Sequence, residues 1–239
     1  MKTGILESKK YVVSTIPTGY TPFIISHWKY NGNANDSIGT NHGTATSVTY
    51  PIVNTIQMAD FSSSTSSKIS VPDVDNLSFG NGTIDVDFSI DFLVYFNAVN
   101  NCWLINKRFG GAYNMEYYCE VLNGTLRFLL VDQSAQAYRF KTYTFTPSTG
   151  VIYHFGYTHI SGTLKIYKNG IDVGGVQQDQ GPYISMENSI EPLIMGKSGT
   201  VTSISFNGKL GVQTFWNQGL TPSGMLDVAT KKLNGTPIF

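Results

Sequence analysis

A chain of 239 residues is long enough to bury one sizeable core and short for two average domains with a linker. Lys+Arg 16 against Asp+Glu 16 leaves a formal net charge of zero, so long-range attraction to nucleic acid or anionic lipid has no source. Charged residues are 13% of the chain, against roughly 25% in an average soluble domain; aromatic residues, Gly, Ser, Thr and Asn fill the space. Aromatic and β-branched side chains suit a pleated surface, and Gly and Asn supply the positive φ of tight turns, which excludes a helical bundle and points to sheets.

Residues 1–22 differ in character from the rest of the chain. Glu7, Ser8, Lys9 and Lys10 interrupt any apolar stretch before it can serve as a secretory h-region, so the chain is expected to stay in the cell that makes it. Tyr11-Val12-Val13 then leads to Pro17 and Pro22, which favour extended backbone and remove donors. The segment reads as an N-terminal arm for attachment to a partner protein, or as a passive terminus, ahead of a single domain over 23–239. No apolar run approaches the roughly 20 residues of a membrane helix.

From residue 84 the period-two signal is strong. In Ile84-Asp85-Val86-Asp87-Phe88-Ser89-Ile90-Asp91-Phe92 every even position is apolar, which predicts a strand with Asp85, Asp87 and Asp91 on a solvated face. Leu126 to Leu130, Tyr153 to Tyr157 and Leu164 to Tyr167 continue the pattern. Asn123-Gly124 and Asn169-Gly170 each stand between apolar runs, where the pair favours a type I′ hairpin turn; Asn81-Gly82 and Asn207-Gly208 are further turn candidates. Many short strands at near-regular spacing predict an all-β, antiparallel two-sheet sandwich. One helix is predicted near the end: Thr221 caps, Pro222 fits the first turn, Met225, Val228, Ala229 and Leu233 form an apolar stripe, and Asn234-Gly235 terminates it. Cys102 and Cys119 pair only if their strands lie side by side in register; with no export signal, free thiols are expected.

The stretch from His27-Trp28 through Asn31-Gly32, Asp36 and Gly43 resembles the opening of laminin-G-like modules of the concanavalin A-like lectin/glucanase superfamily. The later order fits as well: Ile69-Ser70-Val71-Pro72, Asp87 to Val94, Ile105-Asn106-Lys107, Leu164 to Gly170, Phe206-Asn207-Gly208-Lys209-Leu210 and Phe215-Trp216-Asn217. The resemblance spans residues 24 to 235 and implies a jelly-roll with ligand sites on rim loops or on the concave face. It places Trp28 and Trp216 in the core.

Fold does not give function in this superfamily. Its glucanases carry a Glu-x-Asp-x-Glu stripe, and retention or inversion needs a pair of carboxylates. Here Glu116-Tyr117-Tyr118-Cys119-Glu120 has Tyr118 where the middle Asp belongs. No GxSxG elbow, P-loop, CxxC pair or HExxH occurs, and His154 and His159, an odd number apart, fall on opposite faces of a strand. The chain is therefore expected not to be an enzyme, with a glycoside hydrolase or polysaccharide lyase as the remote alternative. Structural calcium is the cofactor the resemblance implies: Asp36 lies in the loop where one ligand is expected, although the carboxylate the family often places after Phe-x-Gly-x-Leu is replaced by Gly211. The alternative for Asp36 is a turn residue bonding its own backbone.

Sugar recognition stacks an apolar ring face on an aromatic side chain while polar neighbours meet the hydroxyls. Trp103, Tyr113, Tyr118 and Tyr138 are the candidate platforms, core packing being the alternative for each. The leading reading is a non-catalytic virion surface protein, a bacteriophage fibre, decoration or tail-associated module. It would attach through the arm to another virion protein, form homo-oligomers through it, and bind host glycans. A carbohydrate-binding module of a secreted or cell-surface protein is the alternative.

Overall fold

The computed structural model describes residues 23–108, 113–198 and 204–238; the arm expected over 1–22 lies outside them. The strands are, in chain order, β1 (Ile24–Trp28), β2 (Thr44–Thr46), β3 (Ile52–Val53), β4 (Ile56–Asp60), β5 (Lys68–Val71), β6 (Phe88–Phe96), β7 (Cys102–Arg108) and β8 (Met115–Leu122). There follow β9 (Thr125–Asp132), β10 (Ala137–Thr144), β11 (Ile152–Ile160), β12 (Thr163–Lys168), β13 (Ile171–Asp172), β14 (Val176–Gln180), β15 (Leu193–Met195) and β16 (Gly208–Trp216), then the helix α1 (Pro222–Leu233).

Two antiparallel sheets form a jelly-roll sandwich. The first runs β13-β12-β11-β6-β16-β4-β3, with β1 also on β16, and the second runs β14-β10-β9-β8-β7-β15-β5-β2. A bulge between Gly211 and Gln213 divides β16, whose first half pairs with β4 and whose second half pairs with β1. Turn chemistry sets the hairpins. Asn123 and Gly124 have φ of 49° and 70°, and Asn169 and Gly170 have 52° and 80°, the double positive φ of a type I′ turn that matches strand twist. Asn207-Gly208 is not such a turn: Gly208 opens β16, where a Cβ would meet the Tyr95 carbonyl oxygen at 2.3 Å.

Side chains from the two inner faces interdigitate. Phe88, Ile90 and Phe92 of β6 meet Tyr117, Cys119, Phe128 and Leu130 of the second sheet, and Phe79 stacks on Phe88 at 4.0 Å between ring centroids. Trp28 and Trp216 are buried as expected. Cys102 and Cys119 are free and buried: their strands are neighbours, yet Cys102 faces Val121 and Cys119 faces Ile105, so neither meets the other. Burial pushes the Cys102 thiol up to about 12, leaving it protonated and unreactive.

The outer face of the first sheet is covered by α1. Thr221 caps it, accepting from the Gly224 N–H at 3.2 Å, and Met225, Val228, Leu220 and Ile238 pack on Tyr167 and Trp216. Gly156 admits this close approach, since a Cβ there would stand 2.3 Å from the Met225 sulfur. The helix overturns the expectation of a solvated face at Asp91; Asp87 is exposed as expected, while the Asp85 carboxylate is buried against Tyr183 and Met186. Asp91 is fully buried, accepting from Trp216 Nε1–H at 2.7 Å, from His154 Nε2–H at 3.0 Å, and from the Lys232 ammonium that α1 delivers. Lys232 also donates to Thr214 Oγ1 at 2.8 Å and to the Val212 carbonyl at 3.1 Å. Burial alone would raise the Asp91 carboxyl, but Lys232 and His154 hold it at about 2.

Candidate functional site

The second sheet also has an outer face, and β9 shows why it is special. Its residues are buried on both sides: Phe128 and Leu130 point into the core, while Leu129 and Val131 belong to a separate apolar cluster outside it. Strand register builds that cluster. Val131 pairs with Tyr138 and Leu129 with Phe140 on β10; on β8, Tyr118 pairs with Leu129 and Glu120 with Arg127; on β7, Trp103 pairs with Glu120. Because the side-chain period is two, these positions share one face.

All four aromatic residues singled out in the sequence meet here. Trp103 stacks on Tyr118 with centroids 4.6 Å apart, and Tyr113 lies 5.2 Å from Tyr138. They divide by depth. Trp103 and Tyr118 are 6% and 8% exposed and form the floor, in keeping with the packing alternative, whereas Tyr113, Tyr138 and Phe140 are half-buried and offer ring surface to solvent. Phe140 was not singled out from sequence, although Tyr138-x-Phe140 has the period of a strand face. Nor was Arg108: its guanidinium lies over the Trp103 ring at 4.9 Å, and its Nε is a buried donor with no hydrogen-bond partner among the described residues. Arg127 pairs with Glu120 at 2.8 Å. Burial and the Glu120 charge push the Tyr118 phenol up, and burial with Tyr113 does the same for Tyr138, so both keep their hydroxyl protons.

The carboxylates considered for catalysis are engaged elsewhere. Glu116, fully buried, accepts from Lys107 Nζ, Ser78 Oγ at 3.1 Å, and Ser189 N and Oγ at 2.9 Å each through one oxygen, while Glu120 turns to Arg127. Burial raises both carboxyls, but with Tyr118 between them and each held by its own cation they present no acid and base to a common point.

Asp36 does not fit a calcium site. Its Oδ1 accepts from the His27 N–H at 2.9 Å and the Ile38 N–H at 3.1 Å, and its Oδ2 from the Asn41 N–H at 3.3 Å, the Asx-turn role. Among the described residues no group of three His, Cys, Asp or Glu comes together to hold a metal. A cavity of about 420 Å³ beside α1 is lined by His27, Lys29, Gln57 and Lys232, but Lys232 is already engaged by Asp91, Thr214 and Val212.

No family model matches the chain, and no curated protein sequence matches it. Solved structures do. Domain 4 of AbnA, a GH43 extracellular arabinanase from Geobacillus stearothermophilus, in complex with arabinotriose, superposes with a TM-score of 0.63 at 16% identity, over 87% of this chain and 98% of that one. The binding domain of Paraclostridial Mosquitocidal Protein 1 gives 0.69 at 16% identity, over 89% of this chain. The ligand binding domain of botulinum neurotoxin serotype D, in complex with N-acetylneuraminic acid, gives 0.62 at 17% identity over 88%. The chain spans about half of each toxin domain, 52% and 51%. At such identities the likeness establishes a shared β-sandwich fold.

Proposed function

We propose that this protein is a non-catalytic carbohydrate-binding domain of the laminin-G-like type, and that its ligand face is the outer surface of the second sheet. The observation that carries the reading is the gathering of Tyr113, Tyr138 and Phe140 over the Trp103–Tyr118 stack with Arg108 beside them. Half-exposed rings receive the apolar face of a sugar, and guanidinium and phenol groups meet its hydroxyls. The neighbouring folds solved with arabinotriose and N-acetylneuraminic acid support the same chemistry. Tyr138→Ala and Phe140→Ala should each weaken binding of the best ligand from a glycan array by about tenfold, as loss of one stacking contact implies, with folding intact. Unchanged affinity in both would refute this face.

Within that reading the domain sits on a virion, as a bacteriophage fibre, decoration or tail-associated module, and residues 1–22 dock it to a neighbouring protein or to copies of itself. The proline-punctuated composition of that segment supports this, since extended chain with unpaired backbone groups can add to a sheet edge. Particle incorporation of the full chain against one starting at Pro22 tests it. The second reading, a module of a secreted polysaccharide-degrading protein, is favoured by the coverage of nearly all of the arabinanase domain; unchanged incorporation on truncation would bring it forward.

A further inference from the structure

On the other side of β10 from the aromatic face, near the β11–β12 turn, lies a cavity of about 280 Å³ lined by Asp85, Arg139, His159 and Ser161, with Ile84 and Ile184 at its sides. His159 is 2% exposed and its ring is held against Phe88, with centroids 5.7 Å apart. Nδ1–H donates to the Val86 carbonyl at 3.0 Å, so in the neutral ring the lone pair is on Nε2. That Nε2 is buried with no hydrogen-bond partner among the described residues, an uncommon and costly condition. Asp85 Oδ2 lies 4.0 Å from it. The carboxylate is itself fixed, by the Tyr183 hydroxyl at 2.6 Å and the Met186 N–H at 2.8 Å.

Two fixed acceptors 4.0 Å apart in a cavity at the lower end of ligand-pocket sizes match a small ring with donors on adjacent atoms. We propose that this cavity is a second binding site, which takes one neutral sugar residue through a vicinal diol, one hydroxyl donating to His159 Nε2 and its neighbour to Asp85. Charge selects against acidic sugars. Arg139 is bidentate to Asp179, at 2.9 and 2.7 Å, and the charges nearest the His159 ring are negative: Asp85, in the cavity wall, at 4.0 Å and Asp87, behind the ring, at 3.9 Å. Ile84 and Ile184, 61% and 64% exposed, supply apolar walls for the ring.

The site is independent of the outer face, and one experiment separates them. The His159 ring signals of the labelled full chain are followed by NMR during titration with L-arabinose, D-galactose, D-glucose and N-acetylneuraminic acid. At least one neutral sugar should shift them saturably, with N-acetylneuraminic acid about tenfold weaker or more, as repulsion by the carboxylates requires. Ile184→Trp, at the exposed rim, should abolish the shift, and Thr83→Phe on the same rim repeats the test if the first variant folds poorly. Tyr138→Ala should leave the shift intact. No shift with any neutral sugar, an equal response to the acidic one, or persistence in both rim variants overturns the second site. Loss of glycan binding in Tyr138→Ala alone bears only on the outer face.

Discussion

Replacing Lys232 by methionine keeps the length of the side chain and removes its charge. The ammonium is buried among Asp91, Thr214 Oγ1 and the Val212 carbonyl, and Asp91 and Thr214 are fully buried. Removing one partner of a buried ion pair costs about 3 to 5 kcal/mol, because the other charge is left uncompensated. Asp91 is not stripped bare, since His154 and Trp216 still donate to it, which sets the expectation at about 3 kcal/mol, the lower end of that range. For a chain of this size that is a fall in Tm of about 6 to 12 °C. Urea unfolding monitored by tryptophan fluorescence measures it. The double change Asp91→Asn with Lys232→Met should recover part of the loss, with a coupling energy of about 1 to 3 kcal/mol. A Lys232→Met cost below about 0.5 kcal/mol, or strict additivity in the cycle, would refute the argument that the pair acts as one unit.

Acid should unfold the protein in two ranges. Burial and the Lys232 charge lower His27 to about 3, and burial lowers His154. The unfolded chain therefore binds protons the folded one excludes, and stability should fall from pH 6.5 downward by about 1.4 kcal/mol per unit for His27, with His154 acting in the same direction. Asp91, held at about 2 against an ordinary 3.8, adds about 2 kcal/mol that is present above 3.8 and lost as the pH drops to 2; stability that is flat between pH 7 and 4 would contradict the histidine assignment. Phe88→Ala should cost about 3 to 5 kcal/mol as a buried aromatic deletion. Asp87→Ala should cost about 1 kcal/mol or less, since its half-exposed carboxylate accepts from the Ser161 N–H at 2.7 Å and is otherwise open to solvent screening; equal costs for the two would place Phe88 outside the core.

Sandwich, hairpins and helix were legible because each rests on local chemistry: alternation on β6, Asn-Gly at the hairpins, Thr221-Pro222 at the helix start. Alternation, however, says only that two faces differ and not what lies on the second. Asp91 reads as solvated until Lys232, 141 positions away, is brought over it by α1. Ile84 and Val86 continue the apolar pattern of β6 yet are 61% and 53% exposed, because the strand starts at Phe88. The aromatic face was legible residue by residue but not as an assembly. Trp103, Tyr113, Tyr118 and Tyr138 come from β7, the segment before β8, β8 and β10, and only strand register sets them side by side. The His159 cavity left no local signal, since its lining comes from four separate stretches of chain.

The placement of β6 between β11 and β16, with β1 on the far side of β16, bears on how the protein is made. The middle of the first sheet cannot close until residue 216 is available, so a chain still emerging from the ribosome holds Phe88, Ile90 and Phe92 without the strand that flanks them. Such non-local pairing is slow, and unpaired apolar strands invite association between nascent chains. The early-synthesised half of the molecule therefore holds one edge of β6 unpaired for the interval before β16 arrives. Yield on overexpression should consequently respond to slower translation more than to any stabilising change in the finished core.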